Sequence, residues 1–312
     1  MSYILFLLWL ALLIKWANFF IDWASGIARR LWVSSLLTGL TIVAMGTSAP
    51  ELFININAAL QWHTDLAMGN IIGSNISNIM LIGWIGALCW WMFLNKTIIN
   101  NFFISLSFTL LLWLVSFKWV TGVLGMWYIG WIICLLAWVW YMYYMIRTKE
   151  TQSPEAVDLR AHSVWFLCWM TFVWLLWLFY GSDMMIANVL TIGSSIGLSE
   201  RIVGLVVVAI GTSLPELVTT IVAVRKWQCA LWIGNIVGSN IFNIWLIGWL
   251  TAIVHPIVFS PQTYADLWVL FLATILFIIL AYMHPRHKIT LLQWVLLITV
   301  YVSYIAYAIL FW

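Results

Sequence analysis

The sequence predicts an all-α polytopic membrane protein whose ten transmembrane helices form two inverted five-helix repeats. Three observations lead there. The composition is 65% hydrophobic and 7% charged, with a mean hydropathy of +1.06, whereas a soluble domain carries about 25% charged residues. Long apolar runs recur along the chain, and one stretch returns at an offset of 165 residues. So few charges cannot cover the surface of a 36.0 kDa water-soluble globule. A soluble enzyme, a nucleic-acid binder and a disordered chain are thereby excluded, and the lipid bilayer is the expected surrounding.

A helix that crosses lipid needs roughly 20 apolar residues. Runs of that length lie near 3–26, 34–59, 66–92, 97–117, 121–146, 163–182, 202–225, 231–254, 264–283 and 289–311. Continuous runs this long specify helices, not barrel strands. The longest polar stretch divides the ten into a first repeat over 1–146, a linker over 147–162 and a second repeat over 163–312. The first run begins at Tyr3 and is long enough to span, so no cleavable signal is expected.

Alternate loops fall on opposite sides. One side collects Arg29, Arg30, Lys96, Arg147, Lys149, Arg160, Arg225, Lys226, Arg286 and Lys288; the other collects Lys118 and Arg201. The positive-inside bias puts the 147–162 loop in the cytoplasm and both termini outside, in a plasma or prokaryotic inner membrane. Cys89, Cys134, Cys168 and Cys229 form no C-x-x-C pair and specify no soft-metal site.

The repeat is close. Residues 33–84 align without a gap on 198–249, with 28 of 52 positions identical. Its core motifs run over 39–84 and 204–249. Each copy carries five spans, an odd number, so the second must enter the membrane from the opposite side. Inverted repeats of this kind build secondary transporters, with the binding site at the midplane where the copies meet.

Within the copies, Glu51 lies past the middle of its span and Glu216 is its image. A carboxylate at that depth is costly unless paired or coordinated. Thr47 and Ser48, and Thr212 and Ser213, stand beside the acids on the same helix faces. Pro50 and Pro215 precede the acids. Proline lacks an N–H, so the helix is expected to kink and free carbonyls near Ala44, Gly46 and Thr47, and near Ala209, Gly211 and Thr212. Ser74 with Asn78, and Ser239 with Asn243, add polar faces from the next span of each copy. All donors are oxygens and no His belongs to the set, which suits hard cations such as Ca²⁺ or Na⁺. Two Glu give a formal charge of −2, matched by one Ca²⁺ or two monovalent ions.

At these residues a family resemblance appears. GTSAPE with GNIIGSNISN, then GTSLPE with GNIVGSNIFN, resemble the two alpha-repeats of the sodium/calcium exchanger and cation/calcium antiporter superfamily, prokaryotic type. The resemblance implies a ten-helix antiporter that exchanges Ca²⁺ for Na⁺ by alternating access, with no cofactor and no enzymatic activity. It implies Glu51 and Glu216 as principal ion ligands, completed by Thr47, Ser48, Thr212, Ser213, Ser74, Ser239, Asn78 and Asn243, with main-chain oxygens of Ala44 and Ala209 joining for Na⁺. It also implies that spans one and six slide across the other eight. Some prokaryotic members have Asp where this chain has Asn243, so the ion ratio does not transfer.

The chain holds 25 Trp. Interfacial anchoring suits Trp62, Trp90, Trp91 and Trp227. The family has small residues near 16 and 23, where Trp16 and Trp23 stand here. Such rings are expected to hinder sliding, as in an engineered or otherwise altered sequence. Proton- or K⁺-coupled exchange is the nearest alternative, followed by a cation channel; an intramembrane hydrolase lacks a suitable His. A monomer is expected. Asn18 and Asp183 suit an ion entrance or a solvated interface, and Asp22 a structural role.

Overall fold

The computed structural model describes residues 35–89, 197–283 and 290–311, with isolated positions and short stretches between 100 and 195. The expected spans near 3–26, 97–117, 121–146 and 163–182 fall wholly or mostly outside these residues. So do Lys15, Trp16, Asn18, Asp22, Trp23, Asp183 and the 147–162 linker.

In the first half, α1 (Ser35–Thr38) continues through a π-helical segment (Gly39–Val43) into α2 (Ala44–Thr47). Ser48 breaks the helix and α3 (Ala49–Leu60) follows at an angle of 49°. After a short turn, α4 (Thr64–Ser77) runs through a second π segment (Asn78–Ile82) into α5 (Gly83–Cys89). The second half repeats the pattern. Its elements are α6 (Glu200–Ile202), a π segment (Val203–Val208), α7 (Ala209–Thr212), α8 (Leu214–Arg225), α9 (Cys229–Phe242), a π segment (Asn243–Ile247) and α10 (Gly248–Val254). The long helices α11 (Pro261–Tyr282) and α12 (Leu291–Phe311) close the chain. Among the described residues five helices are long and apolar enough to cross a membrane, and the bent pair makes a sixth.

The described elements are otherwise all helical, with one short pairing beside them. Two-residue strands β1 (Gly125–Met126) and β2 (Ile257–Val258) pair antiparallel, Gly125 opposite Val258 and Met126 opposite Ile257. Backbone N–H and C=O groups must find hydrogen-bond partners, and these two segments supply each other, with β1 lying inside the expected span 121–146.

Pro50 and Pro215 each sit at the start of a helix, just after the break. The break differs from the expected kink. Ser48 N–H still donates to Ala44 O at 2.9 Å, and Ser213 N–H to Ala209 O at 3.1 Å. A proline at 50 withholds only the N–H owed to Gly46, so the carbonyl at 44 keeps its helical bond and one spare lone pair.

Helices of the two halves meet reciprocally. A Cβ on Gly39 would stand 2.2 Å from Leu231 O, and one on Gly204 would stand 2.3 Å from Leu66 O. These are repeat images of each other. So are the approaches of Gly73 to Leu205 O and of Gly238 to Leu40 O. Only a residue without a side chain lets the helices come this close.

Tryptophan is part of this core. Trp232, Trp245 and Trp294 are fully buried. Trp232 and Trp294 bury indole N–H groups without an acceptor among the described residues, a cost the surrounding apolar packing must offset. Trp62 and Trp227 occupy left-handed backbone at φ 69° and 61°. Each closes a helix: Trp62 N–H donates to Ala59 O and His63 N–H to Ala58 O, with Trp227, Gln228, Val224 and Ala223 repeating the arrangement. This is the hydrogen-bond pattern that glycine normally serves.

Arg201, which its sequence position assigns to a loop, is buried. Its guanidinium pairs with the Asp266 carboxylate, whose Oδ1 also accepts from the Tyr304 hydroxyl at 2.6 Å. This trio ties α6 to α11 and α12. The repeat image of Arg201 is Leu36, so one half alone carries the fastening.

Candidate functional site

Glu51 and Glu216 open α3 and α8, in the first turn after each break. The helix dipole favours negative charge there. Both side chains are completely buried.

The bonds to these carboxylates cross between the repeats. Ser48, from the first break, donates to Glu216 Oε1 at 2.9 Å; Ser213, from the second, donates to Glu51 Oε1 at 3.4 Å. Ser239 adds a second donor to Glu216 Oε1 at 3.2 Å. Thr47 stands 3.5 Å from Ser239, and Thr212 stands 3.4 Å from Ser74. Each break therefore packs against the π-interrupted helix of the other half.

Most of the expected oxygens thus gather in one buried cluster. Asn78 is held by its amide nitrogen, which donates to Asn240 Oδ1 at 3.0 Å and leaves its own oxygen without a donor among the described residues. Asn243 is fully buried, and neither amide atom has a hydrogen-bond partner among the described residues. Glu51 Oε2 and Glu216 Oε2 are likewise buried and without a hydrogen-bond partner among the described residues. Unsatisfied polar atoms in an interior are expensive. Among the described residues no cationic side chain is bonded to this carboxylate pair, an arrangement with room for a cation. Among the described residues no three His, Cys, Asp or Glu side chains are grouped to hold a metal, so neutral oxygens must complete any coordination.

Several participants were missed from the sequence. Asn235 Oδ1 accepts from Thr47 at 3.0 Å, and Asn70 Oδ1 accepts from Thr212 at 3.2 Å. Asn240 also donates to Asn75 O at 3.2 Å, and Ser77 donates to Ser213 at 3.4 Å. The signal for most was present: Asn70 and Asn235, like Asn75 and Asn240, are repeat images deep in apolar runs.

The fold and the cluster together define an integral membrane protein with an oxygen-only site at the meeting of two like halves. A family model described as "Sodium/calcium exchanger protein" matches residues 1–148 and 166–310. The chain belongs to this family, one of transporters and not of enzymes. It is 35% identical over 280 residues to the putative antiporter CaxA of Alkalimonas amylolytica, covering 87% of each chain. It is 31% identical over 270 residues to the inner membrane protein YrbG of Escherichia coli (strain K12), covering 83% of this chain and 82% of that one. Its fold matches that of the sodium-calcium exchanger NCX_Mj, soaked with Na⁺ and Sr²⁺, with a TM-score of 0.75 over 97% of each chain and 24% identity.

Proposed function

We propose that the protein exchanges Ca²⁺ for Na⁺ across a membrane by alternating access, with the ions held between Glu51 and Glu216. The observation that carries this reading is the crossed pair of bonds, Ser48 to Glu216 and Ser213 to Glu51, beside two buried carboxylate oxygens that lack partners among the described residues. The likeness to CaxA, a putative antiporter, and to NCX_Mj, a sodium-calcium exchanger, supports the same direction. Thr47, Thr212, Ser74, Ser239, Asn78, Asn243 and the main-chain oxygens of Ala44 and Ala209 complete the coordination. Two carboxylates against one divalent ion or two monovalent ions give a physical basis for exchange, because the unloaded site retains buried charge. The unit is a monomer in a plasma or prokaryotic inner membrane, with ten spans in two inverted repeats. Its termini lie outside and the 147–162 loop is cytoplasmic.

The test is ⁴⁵Ca²⁺ uptake into proteoliposomes driven by an outward Na⁺ gradient at clamped pH. At an effective dielectric of 20, a unit charge about 4 Å from Ca²⁺ contributes roughly 8 kcal/mol. Even if half is offset by hydration, Glu216→Gln and Glu51→Gln should each weaken Ca²⁺ binding by about three orders of magnitude and abolish uptake. Flux that ignores Na⁺ but follows a proton or K⁺ gradient would replace Na⁺ as the coupling ion. Wild-type uptake in either Gln variant would remove the carboxylates from the ligand set.

A further inference from the structure

A cation ligand must present a lone pair, not a proton. Each hydroxyl in the cluster has one proton to place, and for Thr47 the choice has consequences. Its Oγ1 lies 3.0 Å from Asn235 Oδ1, 3.3 Å from Ala44 O and 3.5 Å from the Ser239 hydroxyl, so the Asn235 contact is the shortest of the three. A proton given to Ala44 O would occupy the carbonyl's remaining lone pair, since that oxygen already accepts the Ser48 N–H at 2.9 Å. A proton given to Asn235 leaves both the Thr47 hydroxyl oxygen and the Ala44 carbonyl open.

The amide orientation needed for this is fixed by a directional relay. Thr219 spends its hydroxyl proton on Glu216 O at 3.0 Å. Its oxygen can therefore only accept from Asn235, and Asn235 Nδ2 donates to it at 2.9 Å. That turns Asn235 Oδ1 toward Thr47. All three side chains are buried, so water does not compete for these protons. The first repeat has a looser counterpart: Thr212 donates to Asn70 Oδ1 at 3.2 Å, and Asn70 Nδ2 reaches Asn55 Oδ1 at 3.4 Å. Thr212 also lies 3.3 Å from Ala209 O.

We propose that Asn235 is a positioning residue for the transported cation: by taking the Thr47 proton it keeps Thr47 Oγ1 and Ala44 O available as ligands, with Thr219 fixing the amide. Asn70 does the same, less tightly, for Thr212 and Ala209. The inference rests on the reading that these oxygens face the ion. It adds residues that contact no ion themselves.

The experiment titrates CaCl₂, and separately NaCl, against the purified full-length protein in detergent, reading half-saturation from the rise in unfolding temperature. Asn235→Leu, close to isosteric and without an acceptor, should raise the half-saturating concentration roughly tenfold. Made in a Thr47→Val background, the same substitution should add less than about twofold, because the proton it manages is gone. Thr219→Val keeps Asn235 and the local shape and serves if Asn235→Leu does not fold. It should show a smaller rise that also vanishes with Thr47→Val. An Asn235 or Thr219 effect of equal size with and without the Thr47 hydroxyl overturns the proposal, as does no effect in the parent. Glu216→Gln is run alongside. If it leaves the Ca²⁺ titration unchanged, the carboxylate reading fails by itself, and the Thr47 comparison still decides the role of Asn235. A parent chain stabilised by neither salt overturns both.

Discussion

Gly204→Ala tests the interlock between the two halves. The new Cβ would stand 2.3 Å from Leu66 O and 3.0 Å from Asn70 N. Carbon and oxygen settle at about 3.3 Å or more, so the helices must part by roughly 1 Å. Both obstacles are backbone atoms of α4, and no change of rotamer relieves them. A gap of that size forfeits a quarter to a half of the dispersion energy of each facing atom pair, and overpacking of this kind costs about 1–3 kcal/mol. Against it stands the gain of about 1 kcal/mol when Ala replaces Gly in a helix. The net expectation is a loss of up to about 2 kcal/mol, and Gly39→Ala, its image at 2.2 Å from Leu231 O, should match it. Gly83→Ala is the control. Its nearest obstacles are Trp294 ring atoms at 2.6 and 2.7 Å, and a side chain can tilt where a carbonyl cannot. Unfolding midpoints in detergent should rank Gly83→Ala above the other two. A Gly204→Ala midpoint at or above that of the parent, with Gly83→Ala lower, would refute the steric argument.

Two further outcomes follow from the fold. Trp62→Gly and Trp227→Gly each remove a non-glycine residue from left-handed backbone and should stabilise the protein by roughly 1 kcal/mol; unchanged or lower midpoints in both would show that the rings contribute more than the backbone loses. Arg201→Leu strands Asp266 in the interior and should destabilise by about 3–5 kcal/mol, while Arg201→Leu with Asp266→Leu should recover most of the loss. Equal midpoints for the single and double variants would argue against a buried ion pair.

Much of this site was legible before any coordinates. Glu51 and Glu216 stand out because acids in apolar runs are rare, and the offset of 165 names the partner of each residue between 33 and 84. The inner contacts were less legible. The bonds of Ser48 and Ser213 go to the opposite repeat's glutamate, and spacing along one helix cannot reveal a partner on another. The π segments at Gly39–Val43 and Asn78–Ile82 leave no compositional mark, since one extra residue per turn depends on packing against a neighbour. Trp62 and Trp227 hid their helix ends because the residue expected there is glycine. Arg201 read as a loop charge because its partner Asp266 lies 65 positions away.

The crossed bonds also bear on how the two halves can change. Were the protein two identical chains, every substitution would strike both half-sites at once. Joined in tandem, each can be altered singly, and Ser77 already answers to Phe242, and Asn55 to Thr220. A pocket descended from a matched pair can in this way become handed, with different chemistry facing each of its parents.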